Sequence, residues 1–187
     1  VTLDAGAPGG GCQLLLHGPG APAWAATLQV DAGLPPLPGL PAPAEGLPPL
    51  QLLRQQLGPA VAGQVARSAG MRTADYLLAR RIPKPVQWLL KRLPPVLAAR
   101  VLLQAIGRHA WTFAGSGQFH AVAGRPCVLT IRDNPLCRGV ASAHPACDFY
   151  SATFERLFQV LVHPATQVVE TQCEARGDPV CRFELRW

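Results

Sequence analysis

Glu170–Leu185 reads ETQCEARGDPVCRFEL, and its symmetry decides how the C-terminal part of the chain folds. Cys173 and Cys181 stand at equal distance from Gly177. Residues 166–174 and 180–187 read as strands, and Arg176-Gly177-Asp178-Pro179 between them is turn-forming. In a hairpin centred on Gly177 the two cysteines face each other across the strands, with Cβ atoms about 4.5–5.5 Å apart. Such a pair forms a disulfide or holds a metal. The first residues lack the basic start and small-residue cleavage site of a secretory leader, so a cytoplasmic, reducing setting is expected, and this favours the metal.

Zinc takes four ligands from Cys, His and carboxylate, so two more groups must approach. Glu170 lies three residues before Cys173 and reaches the same side only if a bulge or turn rotates one of them, because odd separations on a regular strand point to opposite faces. Cys147 opens a helix that returns the chain to this strand. The expected metal set is Cys147, Glu170, Cys173 and Cys181, with His144 or Cys137 as replacements. The competing reading is that these cysteines are small buried hydrophobes.

Working outward, CDFYSATFERLF (Cys147–Phe158) starts a helix that ends at Pro164. Before it, Phe119 and Ala121, then Val128–Ile131, show strand alternation, as do Trp111 and Phe113. Further back, Leu50, Leu53, Leu57, Val61 and Val65 recur at helical spacing, with Gly70 as a stop. Helices over 73–81, 86–93 and 96–107 follow, separated by prolines. Helices first, then an antiparallel meander with a further helix laid on it, predict an α+β fold. Residues 1–49 hold ten of the twenty prolines and nine of the eighteen glycines. They read as a largely irregular segment ahead of one ligand-binding domain over 50–187.

Composition narrows the function. Apolar residues are 49% of the 187 and charged ones 15%, which suits a folded core and excludes wholesale disorder. No stretch supplies the roughly 20 consecutive apolar residues of a membrane span, so membrane contact is at most peripheral. The net charge is +6, and Arg67–Arg108 holds nine basic residues against the single acid Asp75. That segment attracts an anionic partner or is a set of solvated helix faces. Zinc-finger spacing, basic heptads and aromatic–basic RNA motifs are absent from the sequence, so nucleic acid is not an expected partner.

The strings CDFYSATFERLF and ETQCEARGDPVCRFEL resemble the 4-vinyl reductase domain family, which is also similar to the sensor domains of aromatic-responsive bacterial activators. In those sensors zinc is held by Cys, Glu, Cys and Cys. Here the matching intervals are twenty-three residues from Cys147 to Glu170, three to Cys173 and eight to Cys181. The resemblance thus implies a structural zinc, since four protein ligands leave no open position. RTADYLLARRIP (Arg72–Pro83), HAWTFAGSGQF (His109–Phe119) and NPLCRG (Asn134–Gly139) resemble the family's bacteriochlorophyll-biosynthesis members, named for reducing the 8-vinyl (4-vinyl) group of divinyl protochlorophyllide. The likeness covers about Leu50–Trp187 and not residues 1–46.

A vinyl reduction needs a reductant, yet Gly115-Ser116-Gly117 lacks the third glycine of a dinucleotide fingerprint and sits in a hairpin. An iron–sulfur cysteine run is also missing. The expectation is therefore a protein that binds and delivers a magnesium tetrapyrrole intermediate. The vinyl reductase itself and a small-molecule sensor are the alternatives. Such a ligand calls for aromatic walls, an axial donor to magnesium and a cation for its carboxylate. Trp88, Trp111, Phe113 and Phe119 are the candidate walls, His109 and His120 the candidate axial ligands, and Arg72, Arg80, Arg81 and Lys84 the candidate anion partners. The expected partners are the pigment intermediate, other bacteriochlorophyll-synthesis enzymes and a second copy of the chain.

Overall fold

The computed structural model describes residues 2–4, 12–16, 24–28, 49–109 and 117–187. The chain divides into two units, Val1–Pro49 and Leu50–Trp187. In the first unit β1 (Thr2–Asp4), β2 (Cys12–Leu16) and β3 (Trp24–Leu28) form an antiparallel sheet in the order β1-β2-β3. These strands stand where the proline and glycine content predicts largely irregular chain. They fall on the stretches free of both residues.

The second unit begins with α1 (Pro49–Tyr76), broken at Gly58 (φ 79°), just before Pro59. Pro59 has no N–H to donate, and Gly58 tolerates the left-handed φ that the break requires. The helix does not stop at Gly70, as its sequence predicts. A Cβ there would lie 2.2 Å from the Phe149 carbonyl oxygen, so this glycine serves a close helix crossing rather than a cap. A π-helical turn (Leu77–Arg81), α2 (Lys84–Arg92) and α3 (Pro95–Arg108) follow. Pro85 and Pro95 sit in the first turns of α2 and α3, where a missing N–H costs nothing.

Next come β4 (Gln118–Val122), β5 (Cys127–Arg132), α4 (Asp148–Leu161), β6 (Gln167–Gln172) and β7 (Cys181–Arg186). The fold is α+β, as the order of sequence patterns predicts. The sheet is antiparallel in the order β4-β5-β7-β6, so β7 inserts between β5 and β6 and the meander is incomplete. The reason is visible in β7: Cys181, Phe183 and Leu185 are fully buried, which suits a central strand. From α4, Tyr150, Phe154, Leu157, Phe158 and Leu161 pack into the same core. Phe154 and Phe183 meet edge to face with centroids 5.6 Å apart. Burying each such ring stabilises the domain by roughly 1.5–3 kcal/mol.

Candidate metal centre and ligand groove

The hairpin of β6 and β7 forms as its sequence predicts, turning at Gly177 in the left-handed region (φ 89°). Its register shifts between Glu170 and Gln172, the irregularity needed to bring Glu170 and Cys173 to one side. Cys173 follows β6, Cys181 opens β7, and Cys147 is the N-cap residue of α4. Cys137 arrives from the turn after β5, where its N–H donates to the Asn134 carbonyl.

Four sulfurs converge here. Cys137, Cys147, Cys173 and Cys181 are all buried, and their Sγ atoms lie within 4.8 Å of one another. The Cys137 sulfur is 3.3, 3.8 and 3.5 Å from those of Cys147, Cys173 and Cys181. The Cys147 sulfur is 3.9 and 3.6 Å from those of Cys173 and Cys181. A tetrahedron of thiolates held about 2.3 Å from a central ion has edges of about 3.8 Å. The quartet has that size, and none of its members is in a disulfide.

Glu170 stands beside the quartet. Its Oε2 accepts the Cys147 N–H at 2.9 Å, while Oε1 is buried with no hydrogen-bond partner among the described residues. Burial, reinforced by the negative charge of Cys173, pushes its carboxyl up to about 9 against the pull of that N–H. Cys173 is held far below the ordinary thiol range, chiefly by hydrogen bonding from Cys137 and Cys147. Cys147 is pushed the other way by the three neighbouring sulfurs and by burial. Crowded thiols that cannot all ionise are the donor set a dication relieves.

A second ring of groups fixes the sulfurs. Backbone N–H groups of Ala146 and Glu174 point at Cys173 and Cys181 sulfur, each at 3.4 Å, and the buried Asn134 side-chain amide donates to Cys147 sulfur at 3.2 Å. Glu174 accepts from the N–H groups of Asp133 and Asn134 at 2.7 and 2.8 Å, tying the Cys137 turn to the β6–β7 hairpin. Asp178 accepts the Cys173 N–H at 2.8 Å. Asn134 and Glu174 were not legible as site residues, because their role depends on a contact across 40 positions.

Residues 127–187 match the family model of the 4-vinyl reductase domain. This stretch is a 4-vinyl reductase domain. The chain is 51% identical over 127 residues to the bacteriochlorophyll synthase 23 kDa chain of Cereibacter sphaeroides, a match covering 68% of this chain and 62% of that protein. It is 44% identical over 135 residues to the protein of the same name from Rhodobacter capsulatus, covering 72% and 62%. The matches therefore span less than two thirds of either relative's length. Among solved structures, the phenol-responsive sensory domain of the transcription activator PoxR, with phenol, aligns at 18% identity and TM-score 0.48, covering 73% of this chain and 69% of that one. A vinyl-4-reductase family protein from Methanocaldococcus jannaschii aligns at 16% identity and TM-score 0.35, covering 60% and 72%.

The ligand candidates are dispersed. Phe119 and His120 line a groove of about 350 Å³ with Arg100, Leu103, Gln104, Gly107, Ala121 and Ala123, between α3 and the edge strand β4. Phe119 also approaches Phe154, with centroids 6.3 Å apart, so it serves the core as well. His109 ends α3 and is exposed. Trp88 is 57% exposed on α2, and Arg72, Arg80, Arg81 and Lys84 are all exposed on the helices; none of these five lines that groove. Trp111 and Phe113 lie outside the described residues. Arg100, which the sequence marks only as the margin of an apolar helix, is the cation that the fold brings to His120. A second cavity of about 630 Å³ lies between α1 and residues 139–148 and includes Arg54, His144 and Asp148. Asp148 is pushed up by burial, opposed by Arg67 and Arg54. No helix of the described residues is long and apolar enough to cross a membrane.

Proposed function

We propose that this chain is an accessory protein of bacteriochlorophyll synthesis that binds and delivers a magnesium tetrapyrrole intermediate, on a domain held rigid by a structural zinc. The likeness to the two bacteriochlorophyll synthase 23 kDa chains supports the pathway. The observation that carries the binding role is that His120 and Arg100 share one groove floored by Leu103 and Phe119. His120 offers an axial nitrogen to magnesium, Arg100 a guanidinium to a propionate, and the apolar floor a seat for one edge of a flat macrocycle. Enzymes of the same pathway are the proposed recipients, with self-association of the chain as a further partner mode.

The proposed zinc ligands are Cys137, Cys147, Cys173 and Cys181, whose mutual distances suit four-thiolate coordination. The orphaned Oε1 of Glu170 favours a second set in which Glu170 replaces Cys137. In either set the zinc supplies cross-linking and charge, leaving the chemistry of the pigment to other proteins.

The test is to purify the whole chain, assay its metal, and titrate magnesium protoporphyrin and divinyl protochlorophyllide while following the Soret band. A saturable red shift is expected. Arg100→Gln should weaken binding about tenfold, the scale of one charge-assisted hydrogen bond. His120→Ala should change the band shape of the bound pigment, because the axial donor is gone. An unshifted spectrum with both pigments would refute the binding role, and turnover of the divinyl pigment with NADPH or ferredoxin would replace it by that of the reductase.

A further inference from the structure

From Leu77 to Arg108 the chain carries seven basic residues, Arg80, Arg81, Lys84, Lys91, Arg92, Arg100 and Arg108, and no acid. All seven are exposed, and among the described residues none of them is in an ion pair. Arg67 and Arg156, by contrast, are paired with Glu155 and Asp75 at 2.8 Å. The unpaired charges are therefore concentrated on α2, α3 and the π turn before them.

The same helices expose large apolar side chains. Trp88 is 57% exposed, Leu89 50%, Leu97 46%, Val101 44% and Val86 41%. In α2, Gln87 and Leu90 are the buried residues, so this nine-residue helix gives little to the core. Lys84, Trp88 and Arg92 recur at four-residue spacing and share one stripe. The Arg92 guanidinium lies over the Trp88 ring, 4.4 Å from its centroid. In α3, Leu97, Val101 and Arg108 fall on one face at intervals of four and seven.

A surface facing only water gains nothing from apolar side chains set among uncompensated cations. A bilayer rewards both: tryptophan and leucine enter the headgroup boundary while lysine and arginine stay at the anionic surface. We propose that the outer face of α2 and α3 docks on an anionic lipid bilayer as a peripheral membrane surface. Arg100 belongs to this face and to the groove beside β4. An amphiphilic ligand can thus pass from the lipid boundary to the groove without crossing open water.

The experiment is flotation of the whole, metal-loaded chain with phosphatidylcholine vesicles, with and without phosphatidylglycerol, at low and high salt. Binding is expected with phosphatidylglycerol, weakened by salt, and absent with phosphatidylcholine alone. Replacing Lys84, Lys91 and Arg92 together by Gln should weaken partitioning about a hundredfold, from roughly fivefold per basic side chain near an anionic surface. Arg132→Gln, an exposed charge on the sheet, should leave it unchanged. Tryptophan emission should shift to the blue on the anionic vesicles, and Trp88→Phe should remove that shift. Unchanged circular dichroism and metal content establish that each variant is folded. The proposal fails if neutral and anionic vesicles bind alike, if the triple variant floats like the wild type, or if the face captures an acidic protein while ignoring lipid.

Discussion

The cysteine knot and the helical layer solve the same problem in opposite ways. At the knot, sulfurs, amides and carboxylates from four separate segments are buried together, and most of their hydrogen-bonding groups meet within 4 Å. In the helical layer α1 and α4 approach through small residues, and the outward charge is left to solvent or to a partner. A buried polar cluster of this kind is stable only when satisfied as a whole, whereas helix packing gives way by degrees. The knot should therefore fail all at once and the helices gradually.

The largest effect tests the knot. Cys181→Ser, or a strong chelator acting on the wild type, should remove the metal and unfold the β5-β7-β6 part of the sheet. Structural zinc binding contributes on the order of 10–16 kcal/mol in small domains, more than a typical domain's whole stability. Circular dichroism together with metal analysis reads both losses. A metal-free chain that keeps its native melting profile would show that packing alone holds the knot and would erase the contrast.

Gly70→Ala tests the helical layer and should cost less. The added Cβ would fall 2.2 Å from the Phe149 carbonyl oxygen and 3.0 Å from Thr153 Oγ1, and Thr153 Oγ1 itself lies 3.1 Å from the Gly70 carbonyl. Because backbone has to move, a destabilisation of roughly 1–3 kcal/mol is expected, read as a lower denaturant midpoint. Metal content should stay complete, since α1 contributes no ligand. Loss of metal in this variant would mean that the two regions are coupled.

The contrast also explains what the sequence could reveal. Helices, strands and the α+β class were legible because periodicity and proline punctuation are local signals. Cys173 and Cys181 were legible because symmetry about Gly177 makes a hairpin partner of a sequence neighbour. The bond from Asn134 to Cys147 and the bridging carboxylate of Glu174 depend on which turn the sheet order brings beside β7, and no spacing encodes that. Gly70 was misread for a similar reason, since a glycine that ends a helix and one that admits a neighbouring helix look alike in sequence. The groove had the same limit: Trp88 and Phe119 are both aromatic in the sequence, but only the fold turns one outward on α2 and the other towards α3.

The smallest expected effect separates the two ligand sets. Burial raises the Glu170 carboxyl to about 9, so it keeps its proton at neutral pH, and four thiolates around a dication leave a net negative site that does nothing to draw that proton off. Glutamine reproduces a protonated carboxyl in size and in hydrogen bonding. With four sulfur ligands, Glu170→Gln should therefore change metal affinity by less than about threefold, while Cys137→Ser should lower it by at least about tenfold to a hundredfold. Cobalt substitution provides the direct readout, because the thiolate-to-metal charge-transfer band scales with the number of bound sulfurs. An unchanged band in Cys137→Ser and a collapsed affinity in Glu170→Gln would exchange the two residues, placing the carboxylate on the metal and leaving Cys137 as a buried thiol packed against the site.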